Sequence, residues 1–209
     1  MINQHIQQRM KKTHSARCIL YSVDFEETIQ QHLHEWDVIA GSYIEIARRL
    51  ELAGCDFIAL CANTPHKIAD KIQNEIHIPL IHIVDATAEK IQEKKIKKIG
   101  LIGTKYTMGE PFYIERLKER YDIEAIVPEK KDQIIIHDII FNELTYEIMK
   151  KSSKEKYLSI IDRLKKNGAE GIILGCTEIP LLISQDDLDI PSFDTTVIHA
   201  KAIAEYALQ

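Results

Sequence analysis

An internal repeat constrains the fold of this chain more than any other feature. Residues 114 positions apart (168 − 54) match along a stretch of both halves. The matched pairs are Gly54 with Gly168, Asp56 with Glu170, Ile58 with Ile172 and Leu60 with Leu174. Farther on, an Ile-Pro dipeptide recurs at 78–79 and at 190–191. Two copies of one unit predict two lobes that share an architecture.

Short β-branched runs alternate with helical patterns along the whole chain. This alternation predicts βαβ units and parallel sheets. The predicted strands cover residues 17–25, 56–61, 78–84, 97–104 and 170–176. The predicted helices cover residues 36–54, 110–120, 137–150 and 153–167, and further helices begin near Thr64, Asp85 and Asp194.

The predicted fold class is therefore α/β, with two pseudosymmetric lobes whose parallel sheets are flanked by helices. The first lobe would comprise residues 1–86 and 196–209, and the second residues 87–195. Ligands of open α/β sheets bind beyond the carboxyl ends of the strands, so we expect the active site in the crevice between the lobes.

The repeat also predicts a strand that the sequence does not contain. The strand beginning at Ile99 would have its counterpart at position −15 (99 − 114), ahead of Met1. The first lobe would thus lack its opening strand, and residues 2–12 would be the end of the helix that follows it. A start codon assigned too far downstream or a degraded paralogue would explain this pattern.

Charge, hydropathy and cysteine spacing exclude several classes of function. The net charge is −5 and the lysines are interspersed with acids, so we expect no nucleic-acid partner. The apolar runs are only strand-sized and the polar N-terminus does not resemble a signal peptide, so we expect no membrane segment and a cytoplasmic location. The four cysteines form no CxxC pair and have no metal-ligand spacing, so we expect no metal site.

Polar side chains follow the two apolar runs that the repeat superimposes. Asn63 and Thr64 end the first run, and Thr177 ends the second. Thr104 and Thr107 lie in GTKYTM, at the start of another predicted helix. Hydroxyl and amide groups at strand-to-helix turns are suited to bind a carboxylate, whereas the alternative for each threonine is a helix N-cap.

Cys176 lies between Gly175 and Thr177 at the end of a predicted strand. A helix N-terminus lowers a thiol pKa, so the position suits a cysteine that acts as a base. The alternative is a small buried hydrophobic side chain, which describes many isolated cysteines.

The sequence resembles the aspartate/glutamate racemases that act without pyridoxal phosphate. Seven stretches in order carry the resemblance: HSA at 14–16, YSVDF at 21–25, EWD at 35–37, ANTPHK at 62–67, GLIGTKYTM at 100–108, GCTEIPLL at 175–182 and FDTTVIHA at 193–200. The resemblance implies two α/β lobes, a homodimer, no cofactor, and one cysteine on each side of the substrate α-carbon.

The resemblance makes Cys176 the second catalytic cysteine, Thr177 its neighbouring donor, and Asn63 and Thr64 binders of the substrate carboxylate. The first catalytic cysteine would lie at position 62, where this chain has Ala62. The repeat agrees, since 176 − 114 is 62. Cys61 is the alternative, but alternation along a strand predicts that its side chain points away from the crevice.

His66 and Glu178 are two further polar candidates. His66 could donate a proton, since histidine titrates near neutrality, or it could be a partly exposed side chain in a helical first turn. Glu178 could take part in the chemistry or only complement a helix dipole.

We therefore expect an isomerase that racemises a dicarboxylic amino acid, aspartate or glutamate, through Cys176. Without a second cysteine the reaction should be slow or one-sided. One alternative is a non-catalytic binder of small dicarboxylates. Another is a decarboxylase-like enzyme, because a single cysteine suffices to protonate one face.

Overall fold

A computed structural model describes residues 1–24, 26 and 35–209 of the chain. The α-helices are α1 (Ile2–Met10), α2 (Trp36–Leu52), α3 (Ala69–Gln73), α4 (Ile83–Glu93), α5 (Lys105–Gly109), α6 (Pro111–Tyr121), α7 (Lys130–Asn142), α8 (Lys151–Lys166), α9 (Ile179–Leu182) and α10 (Thr195–Tyr206). The strands are β1 (Ile58–Ala59), β2 (Leu80–Ile81), β3 (Lys98–Gly103), β4 (Glu124–Ile126), β5 (Ile172–Gly175) and β6 (Ser192–Asp194). Short 3₁₀ helices cover Thr64–Ile68, Leu144–Tyr146 and Gln185–Asp187.

The chain divides into two compact units, each built from discontinuous segments. Unit 1 comprises Met1–Leu60, Pro65–His82 and Lys201–Gln209. Unit 2 comprises Cys61–Thr64 and Ile83–Ala200. The four-residue segment after β1 thus belongs to unit 2, although the residues on either side of it belong to unit 1.

Unit 1 is built around helix α2 and the parallel pair β1 and β2. Apolar residues at helical spacing give α2 one buried face, which includes Ile39, Ala40 and Ala47. This face packs in one core cluster with Ile58 of β1 and with Ile72 of α3. The hydrophobic face of α2 is therefore what covers the short strands.

Unit 2 contains a fully parallel sheet with the strand order β4-β3-β5-β6. Strands β3 and β5 are buried on both faces, as expected for the centre of a parallel sheet. Ile172 and Leu174 contribute to the core that includes α7 and α8. Ile173, which points the opposite way, contributes to the core that includes α4 and α6.

Two glycines allow β3 and β5 to approach closely at their carboxyl ends. Gly103 and Gly175 are register partners. A Cβ at Gly175 would lie 2.9 Å from the carbonyl oxygen of Ile102, and a Cβ at Gly103 would lie 2.8 Å from the carbonyl oxygen of Gly175. Backbone atoms cannot move away as easily as a side chain can. This close approach of the two strands therefore requires glycine at both positions.

The sequence repeat corresponds to repeated backbone geometry in the two units. Gly54 after α2 and Gly168 after α8 both adopt positive φ angles, of 86° and 94°. The N–H of Ile58 donates to the carbonyl of Pro79 at 2.9 Å, and the N–H of Ile172 donates to that of Pro191 at 2.8 Å. The matched residues therefore end a helix and begin a strand pair in the same way.

The α/β class with parallel sheets is confirmed, but several element predictions are wrong. Residues 17–24 form no strand, and Phe25 lies outside the described residues. Leu20 in this stretch is 81% exposed, so its apolar side chain is not buried against a sheet in the described chain. The helix predicted at 137–150 begins instead at Lys130 and ends at Asn142.

Candidate active site

Cys176 follows directly on β5, and α9 begins three residues later at Ile179. Its side chain is buried in the core of unit 2. The thiol Sγ donates a hydrogen bond to Oε2 of Glu178, with a separation of 2.8 Å. The carboxylate of Glu178 is therefore placed to accept the thiol proton.

The environment of Cys176 opposes formation of a thiolate. Burial raises the pKa of the Cys176 thiol well above its usual range, and the negative charge of Glu178 raises it further. Hydrogen bonds from the backbone N–H groups of Thr177 and Glu178 act in the opposite direction but do not prevail. The expectation of a lowered thiol pKa at a helix start is therefore wrong, because it neglected burial and the neighbouring acid.

Tyr157 of α8 belongs to the same core cluster as Cys176. Its hydroxyl donates to the carbonyl of Ile136 at 3.2 Å. Burial raises the pKa of Tyr157, and the charges of Cys176, Glu143 and Glu178 add to this effect. Tyr157 occupies an ordinary apolar position of the amphipathic helix α8, so the sequence gives no local sign that it shares a core with Cys176.

Three threonine hydroxyls come together at the end of β3. Thr64 Oγ1 lies 3.1 Å from Thr104 Oγ1 and 3.3 Å from Thr107 Oγ1, and the last two atoms are 3.2 Å apart. Thr104 also caps α5, since its Oγ1 accepts a hydrogen bond from the backbone N–H of Thr107. N-capping and clustering with other hydroxyls thus occur in the same residue.

Asn63 is tied to the start of α10 by a hydrogen bond within unit 2. Its Nδ2 donates to Thr195 Oγ1 at 3.0 Å, and Thr195 Oγ1 donates to the carbonyl of Leu174 at 2.9 Å. Asn63 and Thr195 are both buried. Thr195 was not among the residues predicted for the site, although the motif FDTTVIHA that contains it was among the matched stretches.

The remaining predicted residues occupy varied environments. Ala62 and Thr177 are half-buried, and Cys61 is exposed. His66 lies in unit 1, where its ring contacts His82 edge to face with 4.5 Å between ring centroids. Its exposure is 3%, so the alternative of a partly exposed histidine is wrong.

Among residues 1–24, 26 and 35–209, no helix is both long and apolar enough to cross a membrane. The same part of the chain contains no group of three or more His, Cys, Asp or Glu side chains arranged to hold a metal ion.

Comparison with known proteins relates residues 1–203 to the family described as Asp/Glu/Hydantoin racemase. A candidate Asp/Glu racemase from Yersinia pestis is 46% identical, with a TM-score of 0.94 and coverage of 100% of this chain and 91% of that one. An aspartate racemase homologue from Pyrococcus horikoshii is 36% identical, with a TM-score of 0.86 and the same coverage. The broad-specificity amino-acid racemase of Bacillus subtilis is 28% identical over 169 residues, which are 79% of this chain and 71% of that protein.

Proposed function

Because the chain belongs to the Asp/Glu/hydantoin racemase family, we propose that it is an amino-acid isomerase that acts on aspartate or glutamate through Cys176. In this proposal Cys176 removes the α-proton without a cofactor. The known relatives named as racemases support the reaction class. The choice of substrate and the role of the cysteine are inferences from the residues themselves.

The hydrogen bond from Cys176 to Glu178 is the observation that carries the proposal. A thiol with a raised pKa is a weak base until it loses its proton, and an adjacent carboxylate can accept that proton. Glu178 would take the proton from Sγ, and the resulting thiolate would take the proton from the substrate α-carbon. The substrate would then hold the electron pair as a carbanion, stabilised by its own carboxylate group.

The second half of the reaction returns a proton to the α-carbon. Return by Cys176 restores the original enantiomer, whereas inversion requires a donor on the opposite face. Ala62 stands at the position that the repeat assigns to such a donor, and alanine has no proton to give. Water, His66 or Cys61 would have to supply it, so exchange of the α-proton should be faster than inversion.

The cluster of Thr64, Thr104 and Thr107 supports binding of a substrate carboxylate. Each hydroxyl has one proton to donate, and each can rotate about its Cβ–Oγ bond. The three hydroxyl oxygens lie within hydrogen-bond distance of one another, at 3.1–3.3 Å. An incoming carboxylate could accept these protons while Thr104 Oγ1 keeps the bond from the backbone N–H of Thr107.

A second candidate function is non-catalytic binding of a dicarboxylate. Ala62 and the raised pKa of the Cys176 thiol favour it, because a chain with both features could retain the threonine cluster and yet lack turnover. This candidate predicts ligand binding without exchange of the α-proton.

Incubation of each enantiomer of aspartate and glutamate in deuterated water tests the proposal. Loss of the α-proton signal in NMR measures exchange, and chiral chromatography of the same sample measures inversion. We expect exchange to exceed inversion, and Cys176→Ala to abolish both, whereas Cys18→Ala serves as the matched control at an exposed cysteine.

Binding without exchange would favour the non-catalytic candidate. Release of carbon dioxide would identify decarboxylation instead. Full exchange in Cys176→Ala would refute the proposed role of the cysteine.

A further inference from the structure

We propose that unit 1 has a strand-acceptor edge, residues 56–59, which binds an extended apolar segment of a partner polypeptide as a further parallel strand. The segment should resemble β3 in sequence. The repeat superimposes β1 on β5, and β3 is the strand that lies beside β5 in unit 2. The inference does not depend on the isomerase activity.

The sheet of unit 1 pairs β1 on one side only. Within the described chain, β1 and β2 form a two-stranded sheet, whereas β5 and β6 belong to a sheet of four strands. Ile58 is in register with Leu80 of β2, as the matched Ile172 is with Ser192 of β6. The side of β1 that corresponds to the β3 side of β5 therefore has no strand among the described residues.

The matched strands also differ in length. β1 has two residues and β5 has four, although the repeat aligns Ile58 with Ile172 and Leu60 with Leu174. β5 has a partner strand on each side, so both rows of its backbone groups are paired. The apolar run around β1 thus has a capacity for strand pairing that unit 1 leaves unused.

Backbone groups on this side of β1 have no partners. In unit 2 the carbonyl of Gly171 accepts from the N–H of Gly100 at 2.9 Å. Phe57 is the matched residue, since 171 − 114 is 57, and no backbone hydrogen bond joins it to any residue of the described chain. Ile58 donates toward β2, so alternation directs the N–H of Ala59 to the same open side. Such a row of unpaired groups is a template for another strand.

Asp56 provides an acceptor for the first residues of an incoming strand. Its counterpart Glu170 accepts from the backbone N–H groups of Lys97 and Lys98, at 3.2 and 2.9 Å, and so holds the start of β3. Asp56 is exposed, and its carboxylate has no hydrogen bond or ion pair within the described residues. The negative charge therefore favours a segment that begins with free N–H donors and a lysine, as β3 does.

Ile58 determines which residue fits opposite it. The matched Ile172 is in register with Gly100, and a Cβ at Gly100 would lie 2.5 Å from Ile172 Cδ1. A strand that docks beside Ile58 should therefore have glycine at this position. Residues 17–24 of a second copy are exposed and strand-like, but they contain no glycine. We assign the strand-acceptor edge to a β3-like partner for this reason.

Binding of a synthetic peptide to the full chain tests the inference. The peptide KKIGLIGT copies residues 97–104, carries a fluorophore, and is titrated with the chain while its anisotropy is measured. We expect saturable binding with a Kd at least about tenfold lower than that of a scrambled peptide of the same composition. Equal affinity of the two peptides, or binding of neither, would overturn the inference.

Altered peptides test the geometry without any change to the protein. Gly100→Val in the peptide places a side chain against Ile58, and N-methylation of Gly100 removes the donor for the Phe57 carbonyl. Each change should raise the Kd by about tenfold. Leu101→Ile keeps the volume and is the matched control, which should bind like the parent peptide. An unchanged Kd for the valine or the N-methyl peptide would contradict parallel pairing with β1.

Amide hydrogen exchange, followed by NMR, locates the bound peptide. Saturation should slow exchange at Ala59 by at least about tenfold, because the added strand accepts its N–H. The amides of Gly171 and Ile173 should exchange as before. Altered exchange at Gly171 and Ile173 without protection of Ala59 would mean that the peptide replaces β3 in unit 2, and the inference would be wrong.

A charge variant and a self-association measurement complete the test. Asp56→Asn should raise the Kd of the peptide by about fivefold, since a neutral acceptor binds N–H donors less strongly. Asp186→Asn, at an exposed acid of unit 2, should leave the Kd unchanged. Equal Kd values for the two variants would refute the role of Asp56. Self-association of the unmodified chain that a peptide of residues 17–24 suppresses would assign the edge to a second copy instead.

Discussion

The thiol of Cys176 is subject to opposing influences that decide how it can react. Burial and the charge of Glu178 raise its pKa, whereas the backbone N–H groups of Thr177 and Glu178 lower it. The same Glu178 carboxylate accepts the hydrogen bond from Sγ at 2.8 Å. One residue therefore both suppresses the thiolate and provides the route by which the thiol proton can leave.

Glu178→Gln should change thiol reactivity and catalysis in opposite directions. Removal of the carboxylate charge lowers the pKa of the Cys176 thiol, so alkylation by iodoacetamide near pH 7 should become about tenfold faster. Exchange of the substrate α-proton should fall by about 10²-fold, because the acceptor of the thiol proton is lost. Site-resolved mass spectrometry measures the alkylation over a range of pH.

Two comparisons control this experiment. Exposed Cys18 in the same digest reports the reactivity of the reagent at each pH. Glu178→Asp keeps the charge and should leave alkylation of Cys176 slow. Faster exchange in Glu178→Gln would contradict the role of Glu178 as proton acceptor.

Among the elements, strands β3 and β5 have the strictest geometric requirement. Their carboxyl ends meet at Gly103 and Gly175, and Gly175 immediately precedes Cys176. The separation of these strands therefore also sets the position of the thiol.

Gly175→Ala should destabilise the protein, and Gly41→Ala should stabilise it. The new Cβ at position 175 would lie 2.9 Å from the Ile102 carbonyl, a clash with backbone that should lower the free energy of unfolding by about 1–3 kcal/mol. Gly41 is exposed in α2 and a Cβ there meets nothing within 4 Å, so alanine should add about 0.5–1 kcal/mol. Urea unfolding measures both, and a Gly175→Ala variant as stable as the parent would contradict the close approach.

The 3₁₀ helix Gln185–Asp187 should respond to pH through its cap. Asp187 accepts from the N–H and hydroxyl of Ser184 and pairs with Lys154 at 2.6 Å. The hydrogen bond from Lys154, followed by that from the Ser184 backbone, lowers the pKa of Asp187 from 3.8 to about 2. A lowered pKa in the folded state means that this carboxylate stabilises the fold above its unfolded pKa and ceases to do so as pH falls through the folded one.

Asp187→Asn should therefore lower the midpoint of urea unfolding near pH 6. This gap, the difference in midpoint between parent and variant, should close as pH falls from about 4 toward 2. The neighbouring exposed residue provides a matched control in Asp186→Asn, for which we expect a smaller gap. A gap for Asp187→Asn that does not change with pH would show that the carboxylate charge is not what stabilises this turn.

Local patterns account for the elements that could be predicted. Strands β3 and β5 are apolar runs next to glycines, and α2 has regular helical spacing, so each was predicted from its own residues. The three-residue strands β4 and β6 have mixed polarity and are strands only because they pair with β3 and β5. Residues 17–24 have strand-like alternation but belong to no strand of the described chain, so alternation alone was not enough to identify a strand there.

The same distinction applies to the candidate site. Cys176 and the threonine cluster follow recognisable motifs at strand ends, so their residues could be singled out in the sequence. The bond between Asn63 and Thr195 joins residues 132 positions apart and leaves no local pattern. Burial of Cys176 depends on helices that come from distant parts of the chain, and for this reason its pKa was predicted in the wrong direction.

At the scale of the whole molecule, the repeat relates Ala62 to Cys176. The helix ends at Gly54 and Gly168 and the bonds from Ile58 and Ile172 repeat the same geometry with the same spacing. Extended by four residues, this register pairs position 62 with position 176. Cys61 is one residue out of register.

Ala62→Cys should increase racemisation of aspartate or glutamate. Inversion needs an acid and a base on opposite faces of the α-carbon, and each such group typically contributes at least about 10²-fold. The measurement is chiral chromatography of the product beside the exchange assay. Inversion should approach the rate of exchange in this variant.

Two further variants check the register. The gain should disappear in Ala62→Cys combined with Cys176→Ala, because one thiol cannot serve both faces. Cys61→Ala should cost little activity in the parent. Complete loss of activity in Cys61→Ala would show that Cys61 is the working residue and that the register is wrong by one.

Unit 1 contains both ends of the chain, so it can be completed only after unit 2 has been synthesised. Its residues Lys201–Gln209 are translated after Ile83–Ala200 of unit 2, and they include Glu205, which pairs with His5, and Tyr206, which packs against Phe57. At roughly 5–20 residues per second, a ribosome needs about 6–24 s to add the residues in between. The nascent chain thus carries an unfinished N-terminal unit throughout that interval, in which Glu205 and Tyr206 are not yet available to His5 and Phe57.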